Sequence, residues 1–390
     1  MIKKKLSILT TLLLMAATGA VAQSPYSVTL KEGTEDAEHW TIDPTSAEAG
    51  VPVSATYRGS KHVKSVKYVK KLRTPEVTAP TAKSPTYNGS AQELVNAGST
   101  TGGTMQYKVG SGSYSTAIPK ATIAGTYTVY YKVVGGEAYS DVDEASLTVT
   151  INKKDASAKS NKSSWAVGDI ICTNGNAYTI DANTTIPTGV TPVAIVAYKG
   201  SATGDADYKN GLALALKDGT SGCWKASGGT KDNDSQPTNA TTSESGRAIT
   251  YKQQTYGQRS DGTKESRETW IAFYNSGYNY GVSYPSSVTS KWFLPSIYQW
   301  NLMVKGLLGV TTNLTTTANT NLTYDKINAK LQTAINDANV NAVGLADAPY
   351  WTASENYSNS TYRGWCYRAT GLAGYNDKTG SLHVRPVIAF

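Results

Sequence analysis

Histidine, cysteine and phenylalanine are scarce in this sequence of 390 residues, which contains three of each. His39 and His62 lie early in the chain and His383 lies near its end, so no zinc cluster and no histidine-based triad is visible. The sequence also has no H-E-x-x-H motif and no phosphate-binding loop. We therefore predict a protein that is not an enzyme and that has no catalytic residues, no metal ligands and no cofactor.

The three cysteines are Cys172, Cys223 and Cys366. In an oxidising compartment we expect one disulfide and one leftover thiol. Their spacing does not select among the three possible pairs.

Long hydrophobic runs are missing except near the first residue. Residues 1–22 have the pattern of a signal peptide, in which Lys3 to Lys5 form the basic part, Leu6 to Met15 the apolar part and Ala20 to Ala22 the cleavage site. The apolar part is shorter than the ~20 residues of a membrane-spanning helix. We expect a protein that is secreted or held at the cell surface, with no transmembrane segment after cleavage.

Charged residues are also few, at 17% of the chain, and the formal net charge is +8. Lysines are concentrated between Lys61 and Lys71, and a basic run of this kind usually forms a solvated face. Together with the export signal, this argues against a nucleic-acid partner.

Residues 23–74 are predicted to form a small β module. Residues 51–57 alternate between apolar and polar side chains, residues 58–61 have the composition of a turn, and residues 63–69 return as a second strand.

Residues 75–153 begin with an extended, proline-marked stretch and then show strand patterns at 127–133 and 147–151. Several short strands joined by glycine-rich turns predict a β-sandwich.

Residues 154–164 have the composition of a linker, and residues 165–390 are predicted to form one α+β domain. We expect strands at 169–172, 190–198 and 211–216, followed by a polar loop at 219–243.

Two helices are predicted in this domain. Ser296 and Gln299 form a capping box, apolar residues at helical spacing follow, and Gly309 ends the run. The second helix begins near Thr323, with Ile327, Leu331, Ala334, Ile335 and Ala338 on one face.

The C-terminal residues 350–390 carry the candidate site. Residues 382–390 place apolar side chains on one face at period two and predict a buried strand. Between it and residues 350–355 lies a segment rich in Tyr, Asn, Ser, Thr and Gly, which is typical of binding surfaces. The predicted ligand-binding residues are Glu355, Asn356, Tyr357, Asn359, Tyr362, Arg363, Tyr367, Arg368, Tyr375, Asn376 and Lys378.

Two regions resemble known families. Residues 87–94, 105–107 and 124–133 resemble bacterial immunoglobulin-like surface modules, which act as spacers. The motifs at 292–296, 350–355 and 384–387 look like those of C-type lectin-like domains in exported bacterial proteins, a fold related to the formylglycine-generating enzyme. The resemblance implies a multidomain chain that consists of a small β module, an immunoglobulin-like β-sandwich and an α+β C-type lectin-like domain.

The lectin-like resemblance further implies that the first and last strands of that domain pair, and that the loops before the last strand form the binding face. The C-terminal segment is also similar to the variable regions of proteins altered by diversity-generating retroelements. Arg385 is expected either to contact ligand or to form a buried ion pair, with Glu355 as a candidate partner.

Alternative site chemistries are less favoured. Calcium would need several carboxylate or amide ligands. The candidate ligand groups are more typical of turns or solvated loops; they are Glu355–Asn356, Asn376–Asp377, Asp205 with Asp207, and Asp232–Asp234. The formylglycine-generating relatives use a late pair of cysteines, and only Cys366 lies there.

The sequence therefore predicts a secreted or cell-surface binding protein, an adhesin, with an extracellular glycan or protein as its ligand. A structural subunit or tip component of a pilus and an enzyme of the formylglycine-generating type are the alternatives.

Overall fold

The computed structural model describes residues 26–30, 38, 40–43, 46–47, 54–57, 68–226, 237–256, 266, 269–356, 358 and 362–390. The chain divides into two compact units, Met1–Asn152 and Lys153–Phe390. Both units are rich in β-structure, which is arranged in several sheets. The predicted signal peptide at 1–22 lies outside the described residues. Across the described residues, no helix combines the length and the apolar character needed to cross a membrane.

Short strands build the described part of the first unit. They are β1 (Tyr26–Leu30), β2 (Trp40–Asp43), β3 (Ser46–Ala47), β4 (Ser54–Tyr57), β5 (Tyr68–Lys71), β6 (Glu76–Thr78), β7 (Thr81–Ala82), β8 (Gln92–Glu93), β9 (Val95–Asn96), β10 (Ser99–Thr101), β11 (Gly103–Val109), β12 (Lys120–Ala121), β13 (Gly125–Gly135) and β14 (Val142–Ile151).

The first strands of this unit do not pair as a local hairpin. Residues 51–53 and 58–67 of the expected hairpin lie outside the described residues, and in its described parts β4 pairs with β2 and β5 pairs with β1. Alternation identifies a segment as a strand, but the choice of partner depends on contacts elsewhere in the chain.

The predicted strands at 127–133 and 147–151 are confirmed as parts of β13 and β14. These pair with each other and with β11 in a three-stranded antiparallel sheet. One face of the sheet contributes to a core that includes Leu94, Tyr107, Val129 and Val149, while alternate residues face solvent.

The second unit combines strands with helices. Its strands are β15 (Lys154–Asp155), β16 (Ala158–Lys159), β17 (Ile170–Cys172), β18 (Ala177–Tyr178), β19 (Thr184–Thr185), β20 (Pro192–Lys199), β21 (Gly211–Ala215), β22 (Gly219–Cys223), β23 (Tyr350–Glu355), β24 (Arg363–Arg368), β25 (Leu372–Asp377), β26 (Ser381–Val384) and β27 (Val387–Ala389). Its helices are α1 (Gly246–Tyr256), α2 (Ile271–Phe273), α3 (Ile297–Leu308) and α4 (Tyr324–Asn336), with a 3₁₀ turn at Lys162–Ser164 and a π-helical turn at Tyr274–Tyr278.

Two larger sheets organise this unit. The six-stranded sheet has the order β16-β18-β17-β20-β21-β27, and the five-stranded sheet has the order β22-β26-β23-β24-β25. Helices α3 and α4 share one core with β20, β21 and β24. Because β20 is buried on both faces, it reads in the sequence as a continuous apolar run.

The predicted linker at 154–164 belongs to this unit. Strand β15 pairs with β19, and β16 pairs with β18. The Lys159 amine binds the buried Asp169 carboxylate at 2.8 Å, and the Trp165 indole donates to the Lys159 carbonyl at 2.8 Å. The polar composition arises because these are exposed edge strands.

The predicted single strand at 382–390 is divided between the two sheets. Strand β26 lies in the five-stranded sheet and β27 lies in the six-stranded one, with Arg385 and Pro386 between them. Proline has no N–H to continue a ladder, so the break falls where the sequence allows it. The implied pairing of first and last strands is also wrong, because β27 pairs with β21 while β17 pairs with β18 and β20.

Both predicted helices are confirmed. Ser296 and Gln299 complete a capping box at the start of α3, and Gly309 ends the helix with φ 66°. Helix α4 buries Ile327, Leu331 and Ala334 on one face, but it ends at Asn336, so the predicted face residue Ala338 lies outside it. Helix α1 was not predicted. Strand β22 and the buried Trp224 and Lys225 occupy part of the predicted polar loop at 219–243.

Candidate functional site

At the exposed end of the β24–β25 hairpin, two of the predicted site residues, Arg363 and Tyr375, lie close to a third polar side chain, Asp377. Arg363 lies opposite Asp377, and Trp365 lies opposite Tyr375, so all four share one face. The Arg363 Nε lies 3.3 Å from Asp377 Oδ1, and its guanidinium carbon lies 4.9 Å from the Tyr375 ring centroid. We call Arg363, Tyr375 and Asp377 the hairpin patch.

Trp365 supports the patch from below. Its ring is buried and meets Tyr375 edge-on, with centroids 6.4 Å apart. Its indole N–H donates to the Pro237 carbonyl at 3.1 Å. Tyr375 is therefore held between a buried indole and a surface guanidinium, with 41% of its surface exposed.

Arg368 and Asn376 lie on the opposite face of the hairpin and are half-buried. Arg368 donates to the Tyr375 carbonyl at 3.0 Å. Its side chain crosses Gly374, where an added Cβ would lie 2.4 Å from Arg368 Nε. The two residues contribute to the edge of the sheet without joining the hairpin patch.

Tyr362 immediately precedes β24 and is 56% exposed. Its carbonyl accepts a hydrogen bond from the Lys378 N–H at 2.8 Å, so its position is fixed by the hairpin. Tyr357 and Asn359 lie outside the described residues.

Four predicted contact residues are buried, and their prediction as displayed side chains is corrected. Glu355 and Lys378 form an ion pair of 2.5 Å in which both side chains have no exposed surface. Asn356 is 3% exposed, and its N–H donates to the Arg363 carbonyl at 3.0 Å. Tyr367 has no exposed surface, and its hydroxyl donates to the Leu322 carbonyl.

These buried residues fix the base of the hairpin. The Lys378 amine lies 4.7 Å from the Trp224 ring centroid, and a lysine over an indole face gains electrostatic attraction. Burial raises the pKa of Tyr367 well above its ordinary value, so the hydroxyl stays protonated and acts as a hydrogen-bond donor. Some of the polar residues in this segment are therefore buried and stabilise the hairpin, whereas others lie on its surface.

Arg385 is buried and forms an ion pair with Asp218 at 2.6 Å, not with Glu355. Its guanidinium also donates to the carbonyls of Ala215, Val343 and Gly344. This arrangement ties the crossing between the two sheets to the α4–β23 connection. Arg385 thus has a structural role.

The other oxygen of the Asp218 carboxylate is within hydrogen-bonding distance of two side chains. The Tyr350 hydroxyl donates to it at 2.9 Å, and His383 Nδ1 lies 3.1 Å from the same oxygen. Burial is the main cause that raises the pKa of Tyr350, to about 12.

The three cysteines are free thiols, so the expected disulfide is not formed. Cys172 is the last residue of β17 and belongs to the core that α3 and α4 share, whereas Cys366 belongs to a different core cluster that includes Trp224. Burial raises the pKa of Cys366 to about 11 and that of Cys172 to about 12. At neutral pH both are thiols and poor nucleophiles.

The acidic pair Asp205 and Asp207, a candidate metal ligand set in the sequence, forms ion pairs with an arginine side chain. Arg247 binds Asp205 and Asp207 together. Asp232–Asp234 lies outside the described residues. Within the described part of the chain, no three His, Cys, Asp or Glu side chains are grouped as a metal site requires.

Asp377 belongs to the hairpin patch, although the pair Asn376–Asp377 is typical of a turn in the sequence. Its place opposite Arg363 could have been found only by assuming the β24–β25 register.

Comparison with protein-family models, with curated proteins and with solved structures returned no match.

Proposed function

We propose that this chain is an exported binding protein, an adhesin, whose second unit contacts an extracellular ligand with the hairpin patch and Tyr362. In the hairpin patch, Arg363 lies against the partly exposed ring of Tyr375 and pairs with Asp377. This arrangement is the observation that supports the proposal. These side chains stand on a hairpin whose base is buried.

Tyrosine and arginine support such a role for physical reasons. They are enriched among the few interface residues that dominate binding energy. Tyrosine offers a large contact area with little conformational entropy to lose. Because Arg363 already rests against Tyr375 and Asp377, less entropy is lost when a ligand fixes it.

The resemblances give this proposal its context. An immunoglobulin-like spacer and a C-type lectin-like head are common parts of surface proteins, and the pattern at 1–22 fits export. In this proposal the first unit is a spacer and the second unit carries the ligand-contact face.

A formylglycine-type reaction is not favoured by the site chemistry. Such a reaction needs a reactive thiolate, whereas burial raises the pKa of Cys366 to about 11.

The test is a binding screen of the full mature chain against extracellular proteins, glycan arrays and whole cells. A variant with Arg363→Ala and Tyr375→Ala is compared with Ile123→Ala, which removes a 58% exposed side chain from the first unit. We expect the double variant to weaken binding at least about 30-fold, as loss of a hot spot does, and the control to bind normally. Absence of binding in the whole screen, or equal binding by the double variant, would contradict the proposal.

A further inference from the structure

A second aromatic surface lies at the other edge of the five-stranded sheet. Residues 274–284 read Tyr-Asn-Ser-Gly-Tyr-Asn-Tyr-Gly-Val-Ser-Tyr, and we call them the tyrosine segment. They begin in the π-helical turn Tyr274–Tyr278, a rare geometry that is often found at functional sites. The segment packs beside β22, whereas the hairpin patch lies on β24 and β25.

Three hydrogen bonds anchor this segment. The Asn275 amide donates to the Thr220 carbonyl at 2.8 Å, and the Tyr280 hydroxyl donates to the Lys217 carbonyl at 2.8 Å. The Trp292 indole donates to the Val282 carbonyl at 2.7 Å. Close packing on β22 requires a glycine, because a Cβ at Gly222 would lie 2.5 Å from Ile271 Cγ2.

The anchored backbone displays two stacked rings. Tyr274 and Tyr278 have centroids 5.3 Å apart with 28° between their planes, and 57% of Tyr278 is exposed. Asn279, which follows Tyr278 directly, and Ser283, later in the segment, are exposed and offer amide and hydroxyl groups. Stacked rings with hydrogen-bonding neighbours match a ligand that has both apolar C–H faces and hydroxyl groups.

The absence of charged side chains from the tyrosine segment indicates which class of ligand it suits. Residues 269–290 contain no Asp, Glu, Lys or Arg, although the chain as a whole is 17% charged. The tyrosine segment itself therefore contributes no charge that would attract acidic or basic polymers. The hairpin patch, in contrast, carries both an arginine and an aspartate.

We propose that the tyrosine segment is a binding site for the pyranose rings of a neutral polysaccharide, with Tyr274 and Tyr278 as the stacking platform and Asn279 as a hydrogen-bonding neighbour. The site is separate from the hairpin patch and does not depend on the function proposed for that patch.

Affinity electrophoresis of the full mature chain tests the proposal. The gels contain β-glucan, xylan, galactomannan or mannan as neutral probes and polygalacturonate as the charged one. We expect at least one neutral polysaccharide to retard the protein, and Tyr278→Ala to weaken this retardation on the order of tenfold, since an aromatic contact contributes about that much. Tyr278→Phe keeps the ring and should retain most of the binding.

Ile123→Ala is the matched control, because it removes a 58% exposed apolar side chain from the first unit and should leave polysaccharide retardation unchanged. The proposal is overturned if no neutral polysaccharide retards the protein, if only polygalacturonate does, or if Tyr278→Ala and the wild type are retarded equally. If the Arg363→Ala, Tyr375→Ala variant loses retardation while Tyr278→Ala keeps it, the polysaccharide binds at the hairpin patch and the proposal is likewise overturned.

Discussion

The Lys378–Glu355 ion pair is the point at which a single change should weaken the second unit most clearly. The pair spans 2.5 Å, both side chains are fully buried, and Lys378 also lies over the Trp224 ring. Lys378→Met keeps the length of the side chain but removes its charge. The Glu355 carboxylate then remains in a buried site without its lysine.

Breaking a buried pair from one side costs about 3–5 kcal/mol, because the remaining charge has lost its compensating partner. For a unit of this size each kcal/mol lowers the melting temperature by about 2–4 °C, so Lys378→Met should lower it by roughly 6–20 °C. The loss should be smaller at acidic pH, where the carboxylate can take up a proton.

The double variant Lys378→Met, Glu355→Leu is the matched control. Replacing both partners with apolar groups removes the desolvation cost as well as the attraction, so its stability should lie close to that of the wild type. Thermal unfolding followed by circular dichroism at neutral and acidic pH measures both variants. If the double variant is as unstable as the single one, the reasoning from an uncompensated buried charge is wrong.

Three further outcomes are expected. Ser296→Ala removes the cap of α3 and the hydrogen bond to the Glu244 carbonyl, and chemical denaturation should show a loss of about 1–2 kcal/mol, whereas an unchanged midpoint would deny the cap its role. Cys366 should resist a thiol reagent at pH 8 in the folded protein and react after unfolding, because burial raises its pKa to about 11; rapid labelling of the native thiol would contradict this. If the C-terminal segment is diversified, sequencing of natural variants should find substitutions at Tyr362 and Tyr375 and constancy at Tyr367, and equal variation at all three positions would contradict the division between surface and frame.

Local chemistry in the sequence determined the elements whose signals are local. The capping box at Ser296, the helical spacing that follows it and the glycine at 309 lie within a few turns of one another, so α3 could be predicted with both of its ends. The apolar run at 190–198 and the alternation at 127–133 likewise identified strands, because side-chain period reflects burial on one face or two.

Only the tertiary structure decided how these elements pair and which polar residues are exposed. The same alternating run at 382–390 serves two sheets, since Pro386 interrupts the ladder and Arg385 finds its partner at Asp218 far away in the sequence. Glu355 and Lys378 have the composition of a surface, yet each satisfies the charge of the other inside the core. Composition shows which side chains are present, whereas burial depends on long-range packing that no short stretch of sequence contains. For this reason part of the predicted site is buried in the second unit, while Arg363 and Tyr375 remain at its surface.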